Sequence, residues 1–330
     1  IYKMVKLLRI ENGVKIYEVK KKYSDKMMED TKKFATKKVK PSMIDKIINH
    51  DCDIYSDSGV LLIKFRKAVL DEDKSSLFYK NIKKFAMTPT CNRGSASGSK
   101  KKDVRYNPKI MTNIFGYMDG YSPSQKIAMK QQNITNPFRV RTTRFTQDFP
   151  DKYEKTLPLI KQINGLYRKH LPRFFNKQNK KAKESKYKVA NTAFTTVTTN
   201  VNWQTSIHTD KGDDSEGFGN LVVLEEGKYS GAETCLPQYG IGVDVRMGDM
   251  LFMNVHEWHG NLPFVPVDKD AIRLSVVCYL RLNVWRWSKD MTASDVEKHN
   301  STIRKLSKAR ANKTKKCKQV PGIDKVIIPP

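Results

Sequence analysis

No stretch of about 18 consecutive apolar residues occurs in the sequence, which removes a membrane-spanning helix from the expectations. Ile1 to Leu8 are too short and too polar to be read as a signal peptide. Cysteine is sparse: Cys52, Cys91, Cys235, Cys278 and Cys317 form neither a Cys-x-x-Cys pair nor a regular framework. That argues against a structural zinc site and for an intracellular, reducing compartment, nuclear or viral/phage-encoded alike. Acidic residues are scarce too, 34 against 62 lysines and arginines, which leaves a net charge of +28. Such an excess points to a polyanionic partner, nucleic acid before any other. Histidine is scarcer still, six in 330 residues, so any pattern that gathers two of them carries weight.

What is present suffices for a folded protein. At 38% hydrophobic and 10% aromatic, the chain can bury one sizeable core; it contains no internal repeat, and a monomer is expected. Residues 1–55 read as a basic, mainly helical N-terminal extension. Asp25 to Lys38 sets lysines around Met28 and Phe34, and Pro41 to His50 offers a second short helix. Gly59 to Phe65 reads as a strand opening a main domain over 56–288. Cys91 to Lys100, rich in Gly and Ser, reads as a loop with room for close backbone approach to a ligand. Lys152 to His170 has helical spacing, with Leu157, Ile160, Ile163, Leu166 and Tyr167 on one side. Asn176 to Lys188 reads as an exposed, lysine-rich connector.

From Val189 the pattern changes. Ala190–Thr199, Asn220–Glu225, Gly242–Val245, Met250–Val255 and Arg273–Leu280 are short and β-branched or apolar. Turn signals at Gly227-Lys228, Pro237-Gln238 and Gly248-Asp249 separate them. Short strands at this spacing predict an α+β fold whose core, 189–285, is a double-stranded β-helix (jelly roll) with flanking helices. Residues 289–330 read as a basic C-terminal tail, and Lys305 to Lys318 is nearly a charge run.

Within that core stands His208-Thr209-Asp210, followed by His259 and then Arg273. Alternate residues of a strand point the same way, so His208 and Asp210 share one side. A histidine from a facing strand completes a two-histidine, one-carboxylate face for Fe(II), with positions left for a 2-oxo acid and O2. Two histidines compete for that place, His256 and His259. Three residues apart, they face opposite ways on a strand, and the Gly260-Asn261-Leu262-Pro263 turn favours His259. Arg273 presents a two-pronged guanidinium to the distal carboxylate of 2-oxoglutarate, and Ser275, two residues on, adds a hydroxyl on the same face.

The sequence around these residues resembles the TET/JBP oxygenases. The resemblance is carried by Ile207-His208-Thr209-Asp210, Gly248-Asp249-Met250-Leu251, Trp258-His259-Gly260-Asn261-Leu262-Pro263 and Arg273-Leu274-Ser275-Val276-Val277-Cys278-Tyr279. It is strong over about 189–285 and reaches back to Asn92-Arg93-Gly94 and Arg141-Thr142-Thr143. It implies a 2-oxoglutarate- and Fe(II)-dependent dioxygenase of compact viral, phage, algal or fungal type that oxidises the 5-methyl group of a pyrimidine flipped out of DNA. His208, Asp210 and His259 would hold the metal. Asp213 matches the position that hydrogen-bonds the target base, and a carboxylate there favours 5-methylcytosine, with its exocyclic amine, over thymine. Tyr279 matches an aromatic that contacts the base. Arg141, or failing it Arg144, would meet the other end of 2-oxoglutarate or the DNA backbone. Arg93, Lys100-Lys101-Lys102 and Arg105 would contact phosphate. The product would be 5-hydroxymethylcytosine or more oxidised forms. The alternatives are a thymine hydroxylase of JBP type, an ascorbate-dependent enzyme that adds a glyceryl group to 5-methylcytosine, and an inactive DNA-binding module.

Overall fold

In a computed structural model, which describes residues 5–91, 106–107, 110–120, 123–131, 133–135 and 139–318, the chain starts as a hairpin. β1 (Val5–Glu11) and β2 (Val14–Val19) join through Asn12-Gly13, whose φ angles are 49° and 81°. Two successive positive φ angles are what a tight two-residue hairpin demands, and Asn-Gly supplies them at little steric cost. The lead-in is therefore mainly β, which corrects the helical expectation. Among the described residues, only α1 (Asp25–Glu29) and a 3-10 turn at Pro41–Met43 are helical before β3 (Lys46–Ile48) and β4 (Cys52–Ser56). Met28 and Phe34 are nevertheless buried, packed on Ile207 and Leu262.

The chain continues with β5 (Leu61–Arg66), α2 (Glu72–Ala86), β6 (Thr90–Cys91), β7 (Tyr106–Asn107), β8 (Met111–Asp119) and α3 (Pro123–Gln131). Then come β9 (Val140–Thr142), α4 (Arg144–Asp148), α5 (Pro150–His170), α6 (Pro172–Glu184), β10 (Thr196–Val201) and β11 (Gly219–Glu226). The short strands β12 (Tyr229–Gly231), β13 (Thr234–Leu236), β14 (Ile241–Val243) and β15 (Met250–Met253) follow. Last are β16 (Gly260–Asn261), β17 (Phe264–Pro266), β18 (Ile272–Tyr279), α7 (Leu282–Ser288) and α8 (Ala293–Lys318).

Ten strands form one sheet in the order β1-β2-β4-β5-β15-β11-β18-β10-β8-β9, and β16-β13-β14-β3 form a second. Leu236, Ile241 and Val243 of the second sheet share a core with Ile54, Ile63, Leu251 and Met253 of the first, which makes a jelly-roll interior. On the outer face of the large sheet lie α2, α5 and α6, through Ile82, Ile160, Ile163, Tyr167 and Phe175. Strand periodicity divides the two faces. In β18, Leu274, Val276 and Cys278 enter the helix-side core, while Arg273, Ser275, Val277 and Tyr279 face a cavity inside the roll.

Two more expectations need correction. The lysine-rich segment after Asn176 is the body of α6, because Phe175, Gln178 and Ala182 recur at helical spacing and are buried. The basic tail begins as α8. His299 anchors it: its Nδ1 accepts from the Tyr187 hydroxyl at 2.6 Å and its Nε2 donates to the Val140 carbonyl at 2.7 Å. Cys52, Cys235 and Cys278 are free thiols and buried. Among the described residues no helix is long and apolar enough to cross a membrane.

Candidate active site

The strand-end segment that carries His208 and Asp210 is held by backbone pairing on both sides. His208 and His259 exchange N–H···O bonds of 3.0 and 2.9 Å, so the two rings stand side by side, centroids 4.4 Å apart. On the other side Thr36 N donates to Ile207 O at 2.9 Å and Ile207 N donates to Lys37 O at 2.7 Å. Gly260 makes the approach possible: a Cβ there would lie 2.8 Å from Val39 Cγ2. The residues after His259 do not turn, as the sequence suggested, but run on as β16 against β13. Asn261 ties this strand back, accepting from Thr205 N and Oγ1, each at 2.8 Å.

Both imidazoles are oriented through Nδ1, which donates to a carbonyl: Ser206 O at 2.6 Å from His208, and Glu257 O at 2.9 Å from His259. A carbonyl only accepts, so Nδ1 carries the proton and each Nε2 offers its lone pair inward. Each Nε2 lies 3.5 Å from one oxygen of Asp210. The three ligand atoms lie within 4.8 Å of one another. Two neutral nitrogen donors and one carboxylate on one face fit an Fe(II) ion with open positions opposite. His256 takes no part; its Nε2 is buried without a hydrogen-bond partner.

These groups open into a cavity of about 180 Å³. At one end lies Arg273, 7% exposed, and burial pulls its pKa down from the ordinary guanidinium value. It has no carboxylate within 4.0 Å among the described residues. Glu225, its cross-strand neighbour, accepts instead from Tyr229 Oη at 2.5 Å and Met247 N at 3.3 Å. A buried cation without a protein counter-ion is costly, and an anionic ligand removes that cost. Ser275 stands beside it, with Asn200 Nδ2 donating to its hydroxyl at 3.3 Å. A dicarboxylate with one end on Arg273 and Ser275 and the other on the metal face suits this arrangement.

At the other end the structure places Asp213 and Tyr279 in the cavity wall. Tyr279 Oη lies 3.0 Å from Thr198 Oγ1. Sequence reasoning missed Arg281, which lines the same end with Met118. Arg281 sits in an antiparallel bridge with Asp213, and their side chains approach to 3.7 Å. Its signal was its place, two residues beyond Tyr279 on the cavity-facing alternation. Arg141 does not reach the cavity. It stands on β9 across from Met118, at the edge of the sheet and outside the lining. Arg144 pairs instead with Asp148 at 3.5 Å. Asn92 to Arg105, and with it Arg93, lies outside the described residues.

With this geometry in view, comparison with known proteins decides the lineage. Residues 126–282 match Tet_JBP, the oxygenase domain of the 2OGFeDO superfamily. By that match, residues 126–282 are a TET/JBP oxygenase domain. The chain is 30% identical over 194 residues to the bifunctional helicase and thymine dioxygenase JBP2 of Leishmania tarentolae, covering 58% of this chain and 17% of that protein. To thymine dioxygenase JBP1 of Trypanosoma brucei brucei it is 30% identical over 172 residues, 51% of this chain and 20% of that one. The chain thus spans about a fifth or less of these relatives. The solved structure of NgTET1 in complex with 5mC DNA superposes with a TM-score of 0.50 at 14% identity, covering 89% of this chain and 92% of that one. That likeness supports the double-stranded β-helix fold of the TET/JBP domain. The domain's superfamily uses Fe(II), 2-oxoglutarate and O2, and His208, Asp210 and His259 form a group that could hold the metal.

Proposed function

We propose that this TET/JBP domain is a 2-oxoglutarate- and Fe(II)-dependent dioxygenase that hydroxylates the 5-methyl group of a pyrimidine in DNA, with 5-methylcytosine as the favoured target. The observation that carries the reading is one cavity holding three things: the metal face, the buried Arg273, and Asp213 with Tyr279 opposite. Iron(II) bound there, with 2-oxoglutarate and O2, supplies hydroxylation in which one oxygen enters the product and the other enters succinate as CO2 leaves.

The protein's own groups do the rest. Arg273 and Ser275 hold the distal carboxylate and so fix which end of the co-substrate faces the metal. Val277, Leu221 and Val255 line the cavity between the two ends and limit water there. The cavity lies inside the roll, so a base must leave its stack to enter, at a cost of a few kcal/mol. Lysine and arginine contacts to phosphate, drawn from a net charge of +28, offset that cost.

Asp213 favours cytosine, because a carboxylate accepts from an exocyclic amine that thymine lacks. A second reading, thymine hydroxylation, is favoured by the relatives at 30% identity, which are thymine dioxygenases. The test is incubation with Fe(II), 2-oxoglutarate and two duplexes, one with 5-methylcytosine and one with thymine as its only methylpyrimidine, followed by nucleoside mass spectrometry. Hydroxymethylcytosine from the first duplex alone is expected. Hydroxymethyluracil alone assigns thymine, a product that needs ascorbate carbon assigns glyceryl transfer, and no product from either sinks the enzyme reading.

A further inference from the structure

Arg281 is shared unequally between two carboxylates. Its Nε donates to Asp119 Oδ1 at 2.7 Å, while its Nη1 stands 3.7 Å from Asp213 Oδ1. Asp119, at the end of β8, is held in turn by Asn283 Nδ2 at 3.1 Å. The backbone under the pair is pinned: Leu282 N donates to Gly212 O and Asp214 N to Leu280 O, both at 3.0 Å. The guanidinium lies directly over Gly212, where a Cβ would fall 1.7 Å from Nη1. Beyond Asp213 the loop is clamped from α6, as Lys181 reaches Asp214 at 2.6 Å and Glu216 at 2.7 Å. The backbone around Asp213 therefore has little freedom, and Arg281 stands 3.7 Å from its carboxylate while tied to Asp119 through Nε.

We propose that Asp119 is a positioning residue for the base-facing end of the cavity, withholding the Arg281 guanidinium from closing onto Asp213. This rests on the proposed reading of Asp213 and Tyr279 as the pyrimidine end of the site. A guanidinium released from Asp119 would form a two-pronged pair with Asp213, because that geometry is the strongest one open to both groups. The closed pair would occupy the acceptor oxygens of Asp213 and fill the space at the cavity end. Held by Asp119 instead, Arg281 presents N–H donors beside the Asp213 acceptor. An acceptor next to donors complements the mixed edge of a pyrimidine. Asp119 lies outside the residues that match the family, so this control reaches the site from the flanking part of the chain.

The test uses the full chain with Fe(II) and 2-oxoglutarate, comparing the parent with Asp119→Ala, Asp119→Asn, Arg281→Ala and the double variant Asp119→Ala/Arg281→Ala. Asp119→Ala should raise the KM for methylpyrimidine duplex about tenfold, with the KM for 2-oxoglutarate within about twofold of the parent. The asparagine variant, which still accepts through its amide oxygen, should be less impaired. The double variant should recover to the level of Arg281→Ala, because the intruding group is gone. A crystal structure of Asp119→Ala should show Arg281 moved from 3.7 Å into hydrogen-bond contact with Asp213. A double variant as impaired as Asp119→Ala, or a matching rise in both KM values, overturns the proposal and leaves Asp119 a folding residue. A parent protein inactive on both kinds of duplex sinks the substrate reading and this role with it. Parent turnover without rescue sinks only the role of Asp119.

Discussion

Residues 5–91 and residues 126–282 meet in one sheet but contribute unlike things to it. The first supplies β1, β2, β4 and β5; the second supplies β9, β10, β11, β15 and β18, along with all three metal-facing side chains. No side chain of residues 5–91 lines the cavity. Yet the backbone of Thr36 and Lys37 holds Ile207, next to His208, and Val39 O accepts from Gln204 Nε2 at 2.9 Å. One region bears the chemistry and the other bears the backbone that aims it. Family matching finds the first because chemistry restricts residue identity. The second is built of main-chain bonds and interchangeable apolar contacts, which leave a far weaker imprint on sequence.

The largest effect should come from the chemistry-bearing side. His259→Ala should remove Fe(II) binding and lower turnover by more than about 10³-fold, read by metal analysis and product mass spectrometry, with the thermal midpoint nearly unchanged. His256→Ala should keep turnover; the reverse pattern would mean the wrong imidazole faces the metal. On the scaffold side, Ile63→Ala in β5 empties a fully buried position. It should cost about 2–5 kcal/mol in urea unfolding, while the folded fraction keeps its Fe(II) affinity. Loss of metal affinity without loss of stability there would dissolve the division of labour.

Arg273→Ala should raise the 2-oxoglutarate KM about 10- to 100-fold and leave Fe(II) binding intact. An unchanged KM would show that the buried guanidinium serves some other anion. Gln204→Ala probes the seam between the regions, since its amide joins Val39 O to Asn261 O. Its expected effect is the smallest, a roughly tenfold weaker Fe(II) affinity by competitive metal titration. No change would show that the flank merely covers the site.

Some of this was legible before any coordinates. β10, β11, β14, β15 and β18 were visible as short β-branched or apolar runs, and α5 as an apolar stripe. His208, Asp210 and His259 stood out because histidine is scarce and the spacing is specific. The choice of His259 over His256 rested on a turn that is in fact a strand. What selects His259 is its backbone bridge to His208, a contact across 51 positions that no local pattern announces. The β1–β2 hairpin was signalled by Asn12-Gly13 but hidden under lysines, which made the segment look like a charged helix. α6 was obscured in the same way, its buried Phe175, Gln178 and Ala182 outnumbered by exposed charge.

Residue types and their spacing by themselves determined the class of chemistry: two imidazoles, a carboxylate and a late arginine in a strand-rich half, carried by a basic chain. These are properties of side-chain identity, and identity is what a sequence states. The tertiary structure decided how those groups are aimed. It showed Arg273 buried with no carboxylate within 4.0 Å among the described residues, Arg141 left outside the cavity, Arg281 brought between Asp119 and Asp213, and the N-terminal strands made part of the main sheet. Each of these depends on pairing between segments far apart in the chain, where register and burial are settled by the packing of the whole molecule.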